Sequence, residues 1–393
     1  MWPRSRRLYN GANLARAAGY ADLRAMALRR LPAFAAEFVE GGAEDELTLD
    51  RNRAIFDSWC FSPAALPGFE RPDLSASPLG APAHLPIAIA PTGFAGLLWR
   101  HGDAALARTA AAAGIPFTQS IASNQRLETI ASTPDLRHWL QLYVFRDRDA
   151  VQAIVERAVA AGYEALVVTI DSTTYGKREW DSRCYVKPAK LRLGAKLEVL
   201  QHPRWMRAVL ARGIPGFENL YDFLPVGAGF MASATWARQQ VDPTLSWADV
   251  AWLRSIWAGK LIVKGVSSPA DVPHALQAGA DAIVLSNHGG RQLDGAMPPL
   301  AVLPAIADAY RGQIEIMIDS GFRRGSDVVK AVALGADTVL LGRLALYGLA
   351  AGGEAGVGRA LSIVADEMQR TMTLLGVERL SDLTPDHVRA WTA

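Results

Sequence analysis

From Leu85 onward, short apolar runs alternate with longer stretches of helical periodicity. Eight runs stand out: "PIAIA" from Pro86, "PFTQS" from Pro116, "WLQLYV" from Trp139, "ALVVTI" from Ala165, "LIVKG" from Leu261, "AIVLS" from Ala282, "IEIMID" from Ile314 and "TVLLG" from Thr338. Each is too short for a helix and most are rich in β-branched residues, which predicts buried strands. Alanine-rich segments such as "GDAALARTAAAAG" and "RGSDVVKAVALGA" lie between them and are long enough for the crossovers that parallel pairing requires. Eight strand-helix units predict an α/β fold of the TIM (β/α)8 barrel type. The echo between "GADAIVLSNHG" at Gly279 and "GADTVLLGRLA" at Gly335 fits successive units of such a barrel. The chain before Leu85 reads as an N-terminal helical preface. About 90 residues separate the fourth and fifth strands where about 30 would suffice, so a long insertion follows strand 4.

In a barrel of this kind the chemistry sits where the strands end. The exits carry Pro91, Thr92 and Gly93; Ser120; Gln141 and Tyr143; Thr169 and Asp171; Lys264; His288 with Arg291; Asp319 with Arg323; and Gly342 with Arg343. One such residue would be an ordinary loop or core polar group, but polar groups at nearly every exit point to a site. The last two exits, "IDSGFRRG" and "LLGRLA", set glycine backbone N–H groups beside Arg323, Arg324 and Arg343, where barrels commonly hold a phosphate. Lys264 offers a compact positive charge for an anion next to a ring. The glycines of "SNHGGRQLD" allow close backbone approach to a bound group.

Composition narrows the field. Of 393 residues, 50% are apolar and 20% charged, as in an ordinary globular chain. A net charge of +2 gives no reason to expect a nucleic-acid partner. Cys60 and Cys184 lack metal-ligand spacing, so neither a zinc site nor a disulfide framework is expected, and a reducing, cytoplasmic compartment fits. No apolar run approaches the roughly 18 residues that cross a bilayer. The first 20 residues hold Arg4, Arg6, Arg7 and Arg16 and no acid, which reads as a basic extension rather than a transit peptide.

An imidazole with a pKa near about 6.5 is suited to taking a proton at neutral pH. A carboxylate such as Asp171 can orient it and stabilise its charged form. Arg291 and Arg178, the latter in "YGKREWD", could clamp a substrate carboxylate through paired hydrogen bonds, and Tyr143 could bind a hydroxyl or developing carbonyl. Base, carboxylate clamp and phosphorylated cofactor together describe the oxidation of a 2-hydroxy acid.

The motifs "SNHGGRQLD", "IDSGFRRGSDVVKAVALGA", "QLYV" and "GGAED" closely resemble those of the FMN-dependent 2-hydroxy acid dehydrogenases and oxidases. Within that family, "PTGFAGLLWRHGDAALARTAAAAGIPF", "HPRW" and "LLGRLALYGLAAGGEAGV" are most similar to the (S)-mandelate dehydrogenases. The resemblance runs over residues 20–383. It leaves a 1–19 extension and a 384–393 tail, with the insertion at about 186–240. It implies FMN in the barrel mouth, with Lys264 beside the isoalloxazine and Gly321, Arg323, Gly342 and Arg343 at the phosphate. Pro91, Thr92, Gly93, Ser120, Gln141, Thr169 and Ser286 would line the flavin, and Asp319 would lie near its ribityl chain. His288 matches the family's base, Asp171 its orienting carboxylate, Arg178 and Arg291 its clamp, and Tyr143 its hydroxyl-binding phenol. The resemblance further implies a homo-oligomer, a tetramer, and a quinone, cytochrome or oxygen as electron acceptor.

Three positions differ from residues common in the family. Phe38, in "AAEFVEGGAED", stands where the family usually supplies a second tyrosine to the carboxylate, and Tyr175 is the candidate replacement for that hydroxyl. Ala122 stands where glycolate-type oxidases carry tryptophan, which predicts room for a large or aromatic group on the substrate. Gly93 replaces an alanine common in oxidases and leans toward a dehydrogenase. The alternatives are an (S)-lactate or glycolate-type oxidase, a barrel aldolase or lyase working through a Lys264 Schiff base, and a flavin-binding module without catalysis. Residues 187–217 carry seven Lys and Arg against one acid, interleaved with Leu191, Leu193, Leu197, Leu200, Trp205, Met206 and Leu210. Such a stretch can lie on an anionic bilayer without crossing it, as mandelate dehydrogenases use this region, which predicts peripheral contact with the inner face of the cell membrane.

Overall fold

In the computed structural model, which describes residues 8–66, 68–187, 190–209, 213, 216–227 and 229–391, the eight apolar runs form eight parallel strands. They are β1 (Ile87–Ile89), β2 (Phe117–Ser120), β3 (His138–Leu142), β4 (Ala165–Thr169), β5 (Lys260–Val266), β6 (Ala282–Leu285), β7 (Glu315–Ile318) and β8 (Thr338–Leu341). Each pairs with its sequence neighbours, and β8 pairs with β1 to close the barrel, Val339 opposite Ile87 and Leu341 opposite Ile89.

Alternation along the strands decides what each residue meets. One parity, including Ala88, Trp139, Val167, Ile262, Val284, Met317 and Leu340, packs together as the barrel's inner core. The other, including Ile87, Ile89, Leu166, Val263 and Ile283, joins the layer beneath the surrounding helices. Trp139 can be fully buried inside because Ala88, Ala165 and Ala282 leave it volume. Two residues further along the inward parity come Gln141, Thr169, Lys264, Ser286, Asp319 and Gly342. A period of two therefore delivers polar side chains into the mouth directly above an apolar plug.

The preface contributes helices Tyr20–Arg30, Ala33–Glu40 and Leu47–Ala54. The first packs along the C-terminal helix Arg343–Leu375, which bends at Gly352 and Gly353. Asn52 and Asn287 exchange buried side-chain amide hydrogen bonds at 2.8 and 2.7 Å, joining the preface to the loop after β6. The tail set apart in the sequence is joined to the body, since Val388–Ala390 pairs antiparallel with Trp59–Phe61. Between β4 and β5 the insertion forms a small hairpin, Tyr185–Lys187 with Lys190–Leu191, and short helices including Leu193–Val199, Pro203–Val209 and Phe230–Gln239. Helix Trp247–Ile256 then resumes the barrel's alternation.

Candidate active site

A cavity of about 1620 Å³ opens above the mouth, larger than the roughly 300 to 1,000 Å³ of an ordinary small-ligand pocket, and so roomy enough for a cofactor together with a substrate. Its wall includes Pro91, Thr92, Gly93, Ser120, Ala122, Gln141, Tyr143, Thr169, Lys264 and His288. From the later exits come Asp319, Gly321, Arg323, Gly342, Arg343 and Arg291, from the loop after β4 come Arg178 and Tyr175, while Phe38 enters from the preface. Ser286 lies just beneath, bonded to Lys264. Asp171 reaches the wall through His288.

Two hydrogen-bond systems occupy the floor. Ser120 Oγ donates to Gln141 Oε1 at 3.0 Å, and Gln141 Nε2 donates to Thr169 Oγ1 at 3.0 Å, so three exits share one relay. Lys264 Nζ is held between Asp319 Oδ2 and Ser286 Oγ, each at 2.8 Å, and its side chain is buried. Ser286 Oγ also accepts from the His288 backbone N–H at 3.0 Å.

His288 Nδ1 faces Asp171 Oδ1 at 3.0 Å. Burial pushes the Asp171 carboxyl up, but His288, Lys264 and Ser172 together outweigh it and hold the group below the usual carboxylate range. An ionised Asp171 can only accept, so in the neutral imidazole the proton sits on Nδ1 and Nε2 carries the lone pair. Asp171 Oδ2 is buried without a hydrogen bond. His288 has φ 60°, and Phe94 and Ser320 at two other exits have φ 61° and 75°. Side-chain-bearing residues adopt this left-handed backbone at a cost that surrounding structure must hold in place, and such strain gathers at functional sites.

The cations divide by what they touch. Arg291 Nη1 donates to Gly41 O at 2.7 Å, and its guanidinium lies 5.5 Å from the centre of the Phe38 ring. Burial, with the like charges of Arg178 and Arg343, holds Arg291 well below the usual arginine range. Arg178 Nε is buried without a partner. Two crowded guanidiniums, incompletely paired, make a receptor for an anion. Arg343 donates to the carbonyls of Val39, Gly289 and Gly41 at 2.7, 2.7 and 2.9 Å. Burial depresses it to about 10. Its guanidinium is thus committed to backbone, which leaves the N-terminus of helix Arg343–Leu375 and Arg323 as the positive groups on the cavity wall at this exit. Arg324 turns away, ion-paired to Glu367 at 2.5 Å.

Tyr143 is half-buried, its phenol pushed up by desolvation, and Tyr175, Arg178 and Arg291 all act on it electrostatically. Tyr175 in turn feels Arg178 and packs against Arg238, whose guanidinium is 5.7 Å from the ring centre. Phe38 packs edge-on to Phe94 at 5.9 Å. Sequence reading overlooked Gln292, whose Nε2 donates to Asp171 O, Ser172 Oγ and Thr174 O at 2.9, 2.9 and 3.0 Å, pinning the loop that carries Asp171 and Tyr175. It also overlooked Asp181, beside Arg178 and Arg291, whose carboxyl burial pushes up. The spacing "REWD" holds Asp181 three residues after Arg178, which is the only signal it gave.

A family model described as FMN-dependent dehydrogenase matches residues 27–390. The chain belongs to the FMN-dependent dehydrogenases. It is 42% identical over 369 residues to the (S)-mandelate dehydrogenase of Pseudomonas putida, covering 94% of this chain and 93% of that protein. It is 41% identical to an L-lactate dehydrogenase of Pectobacterium atrosepticum, covering 93% and 95%. A crystal structure of a monotopic membrane protein, (S)-mandelate dehydrogenase, superposes with a TM-score of 0.91 at 40% identity, covering 96% of this chain and 100% of that one. The protein is an FMN-dependent oxidoreductase, and its residues fit that cofactor. A relay of alternating donors and acceptors suits a flavin ring edge, Lys264 supplies a buried cation, and a β-carbon added at Gly342 would meet only Ala90, at 3.8 Å, and so project into the open cradle.

In the basic stretch, Leu193, Leu197 and Leu200 are exposed, at 73, 57 and 62%. Trp205 is not part of that outer face: it is buried, its indole N–H donating to Leu97 O at 2.7 Å and its ring edge-on to Phe34. Residues 188–189, 210–212 and 214–215 of this stretch, Leu210 among them, lie outside the described residues. No described helix is long and apolar enough to cross a membrane.

Proposed function

We propose that the protein oxidises an (S)-2-hydroxy acid with a large or aromatic group at C2 to the 2-oxo acid. The observation that carries this reading is the His288–Asp171 pair across one cavity from the incompletely paired Arg178 and Arg291. The two guanidiniums bind the substrate carboxylate, Tyr143 orients its hydroxyl, and Tyr175 supplies the hydroxyl that Phe38 lacks. His288 Nε2 takes a proton from the substrate: from the hydroxyl if the α-hydrogen leaves as hydride, from C2 if it leaves as a proton. Asp171 stabilises the imidazolium that forms. FMN, when bound, would supply the acceptor for the two electrons that leave C2. Pro91, Thr92, Gly93, Ser120, Gln141, Thr169, Lys264 and Ser286 would hold its ring, Asp319 its ribityl chain, and Gly321, Arg323, Gly342 and the Arg343 backbone its phosphate. The Lys264 nitrogen is committed to Asp319 and Ser286, which argues against a Schiff-base role.

The exposed leucines within a cationic stretch support peripheral attachment to an anionic bilayer, with a membrane quinone as acceptor. The test of the main reading is anaerobic mixing of the flavoprotein with aliphatic and aromatic 2-hydroxy acids while following flavin absorbance. Mandelate should bleach the flavin faster than lactate or glycolate. Faster bleaching by glycolate overturns the substrate assignment, and no bleaching by any acid overturns the reaction. Repeating the mixing in air separates a dehydrogenase from an oxidase. Co-sedimentation with anionic vesicles at low salt tests attachment, and its absence there rejects it.

A further inference from the structure

The wall of the cavity beyond the guanidiniums is built of four phenylalanines that come from three parts of the chain. Phe38 belongs to the preface, Phe94 to the exit of β1, and Phe217 and Phe230 to the insertion. Phe94 is at their centre. It meets Phe38 edge-on at 5.9 Å and 86°, Phe217 edge-on at 5.7 Å and 84°, and Phe230 face to face at 4.7 Å and 6°. Phe217 and Phe230 close the set edge-on at 5.7 Å and 82°. All four line the cavity together with Gly93 and Ala122. Such spacings are those at which aromatic rings attract one another and would accept a further ring.

Backbone contacts fix where these rings stand. Asn124, buried, accepts from Gly96 N at 2.8 Å and donates through Nδ2 to Gly216 O at 2.8 Å. It therefore bridges the loop carrying Phe94 and the insertion segment carrying Phe217. Glu218 N donates to Ser123 O at 3.2 Å, and Leu127 N donates to the side chain of buried Asn219 at 2.8 Å, so the same segment is held on its other side. Ser233 Oγ accepts from Phe217 N at 3.3 Å and donates to Phe230 O at 3.0 Å, tying the two insertion rings together. Phe94 N donates to Ala122 O at 3.0 Å, which aligns the box with the space that alanine leaves.

We infer that the insertion supplies half of the substrate-selecting wall: Phe217 and Phe230, with Phe94 and Phe38, form an aromatic box for the C2 group of the hydroxy acid, and Asn124 positions it. This rests on the proposed oxidation of 2-hydroxy acids. The geometry runs continuously from clamp to box, because Arg291 lies against Phe38 and Phe38 against Phe94. A carboxylate on Arg291 and a ring packed against the phenylalanines would leave the C2 carbon between them, in the cavity that His288 also lines. The exclusion of water by these rings favours an apolar group over a hydroxyl or a charge. Phe217 and Phe230 determine specificity, whereas Asn124 is a positioning residue that acts through Gly96 and Gly216.

The test compares Phe217→Ala, Phe217→Leu, Phe230→Ala and Asn124→Ala with the parent flavoprotein at matched FMN content, using mandelate and lactate in anaerobic flavin reduction. The box predicts that Phe217→Ala and Phe230→Ala lower kcat/KM for mandelate by about ten-fold or more while lactate changes by less than about two-fold. Phe217→Leu, which keeps apolar volume without the ring, should fall between. Asn124→Ala should shift selectivity in the same direction with flavin absorbance unchanged. Equal losses on both acids, or an unchanged ratio in the Phe217 and Phe230 variants, overturn the inference. If Asn124→Ala does not fold, the phenylalanine series still decides. A parent that reduces with neither acid defeats the underlying reaction instead, a result distinguishable from failure of the box.

Discussion

The mouth of the barrel and the wall built by the insertion are held by different physics. At the mouth, side chains lie on strands or within a few residues of them, and each has charged or hydroxyl partners: Lys264 with Asp319 and Ser286, His288 with Asp171. Among the described residues of the insertion no strand belongs to the barrel, and the rings of Phe217 and Phe230 are placed by one another and by amides of the 123–127 loop. The first arrangement fixes atoms to hydrogen-bond precision, as proton transfer requires. The second fixes a shape. Reaction type should therefore be insensitive to changes in the wall, and substrate choice should be more sensitive to the wall than to the mouth.

The sharpest way to break that division is at His288. His288→Ala should retain FMN and lose about 100-fold to 10,000-fold in flavin reduction rate, by the same factor for every substrate acid. Stopped-flow reduction at matched FMN occupancy checks it, and a parent-like rate would remove His288 from the chemistry. Asp171→Asn should slow reduction in the same substrate-independent way, since the imidazolium would lose its carboxylate. Next in size is Arg291→Lys, which keeps the charge and loses the planar fork. A weakened hydrogen bond to a charged group is worth roughly 1.5 to 3 kcal/mol, so KM should rise about ten-fold to 100-fold with flavin content intact. A rise confined to aromatic acids would instead assign Arg291 to the wall.

Tyr175→Phe asks on which side of the division the loop between β4 and the insertion falls. If its hydroxyl replaces the one absent at Phe38, kcat/KM should fall for mandelate and lactate alike, by an amount near the lower end of that same range. A loss restricted to mandelate would make Tyr175 part of the wall. The smallest effect belongs to neither region. Burial raises Glu315 at the barrel floor from its ordinary 4.5 to about 7. The folded state therefore binds a proton that the unfolded state has released, so this group's contribution to stability is full at low pH and declines as pH rises from 4.5 to about 7. Glu315→Gln should remove that part of the slope in Tm against pH while leaving reduction rate and selectivity unchanged. An unaltered slope would show that Glu315 is not the group responsible.

How much of this was legible before the structure follows the same division. All eight strands could be read because each is a short apolar run between helices, and the polar exits followed because strand ends are where such runs must stop. Of the pairs at the mouth, His288 with Asp171 could be named from their strand exits, whereas the grip of Asp319 and Ser286 on Lys264 could not. The insertion gave less. Its charge and leucines were visible, but Trp205 turned inward although the sequence groups it with Leu193 and Leu197, because a tertiary partner, the Leu97 carbonyl, outweighs local pattern. The Asn124 clasp and the Gln292 anchor were invisible for a similar reason: an asparagine or glutamine in a loop has no periodicity, and its partners lie 92 and 116 to 121 residues away. The commitment of Arg343 to three carbonyls was hidden likewise, since position alone gave it to a phosphate.

That grip on residues 39–41 has a consequence for how the protein is made. Gly41 O accepts from both Arg291 and Arg343, the latter 302 residues later in the chain. On a ribosome adding about 5 to 20 residues per second, the preface emerges roughly 15 to 60 s before the arginine that locks it. Until then its apolar helices have neither the eighth strand nor the C-terminal helix to rest on. A nascent chain interrupted anywhere before residue 342 would lack the last clasp and, at once, two of the four residues proposed to hold the phosphate. A chain stopped there should therefore hold FMN less well than one translated through its final barrel unit.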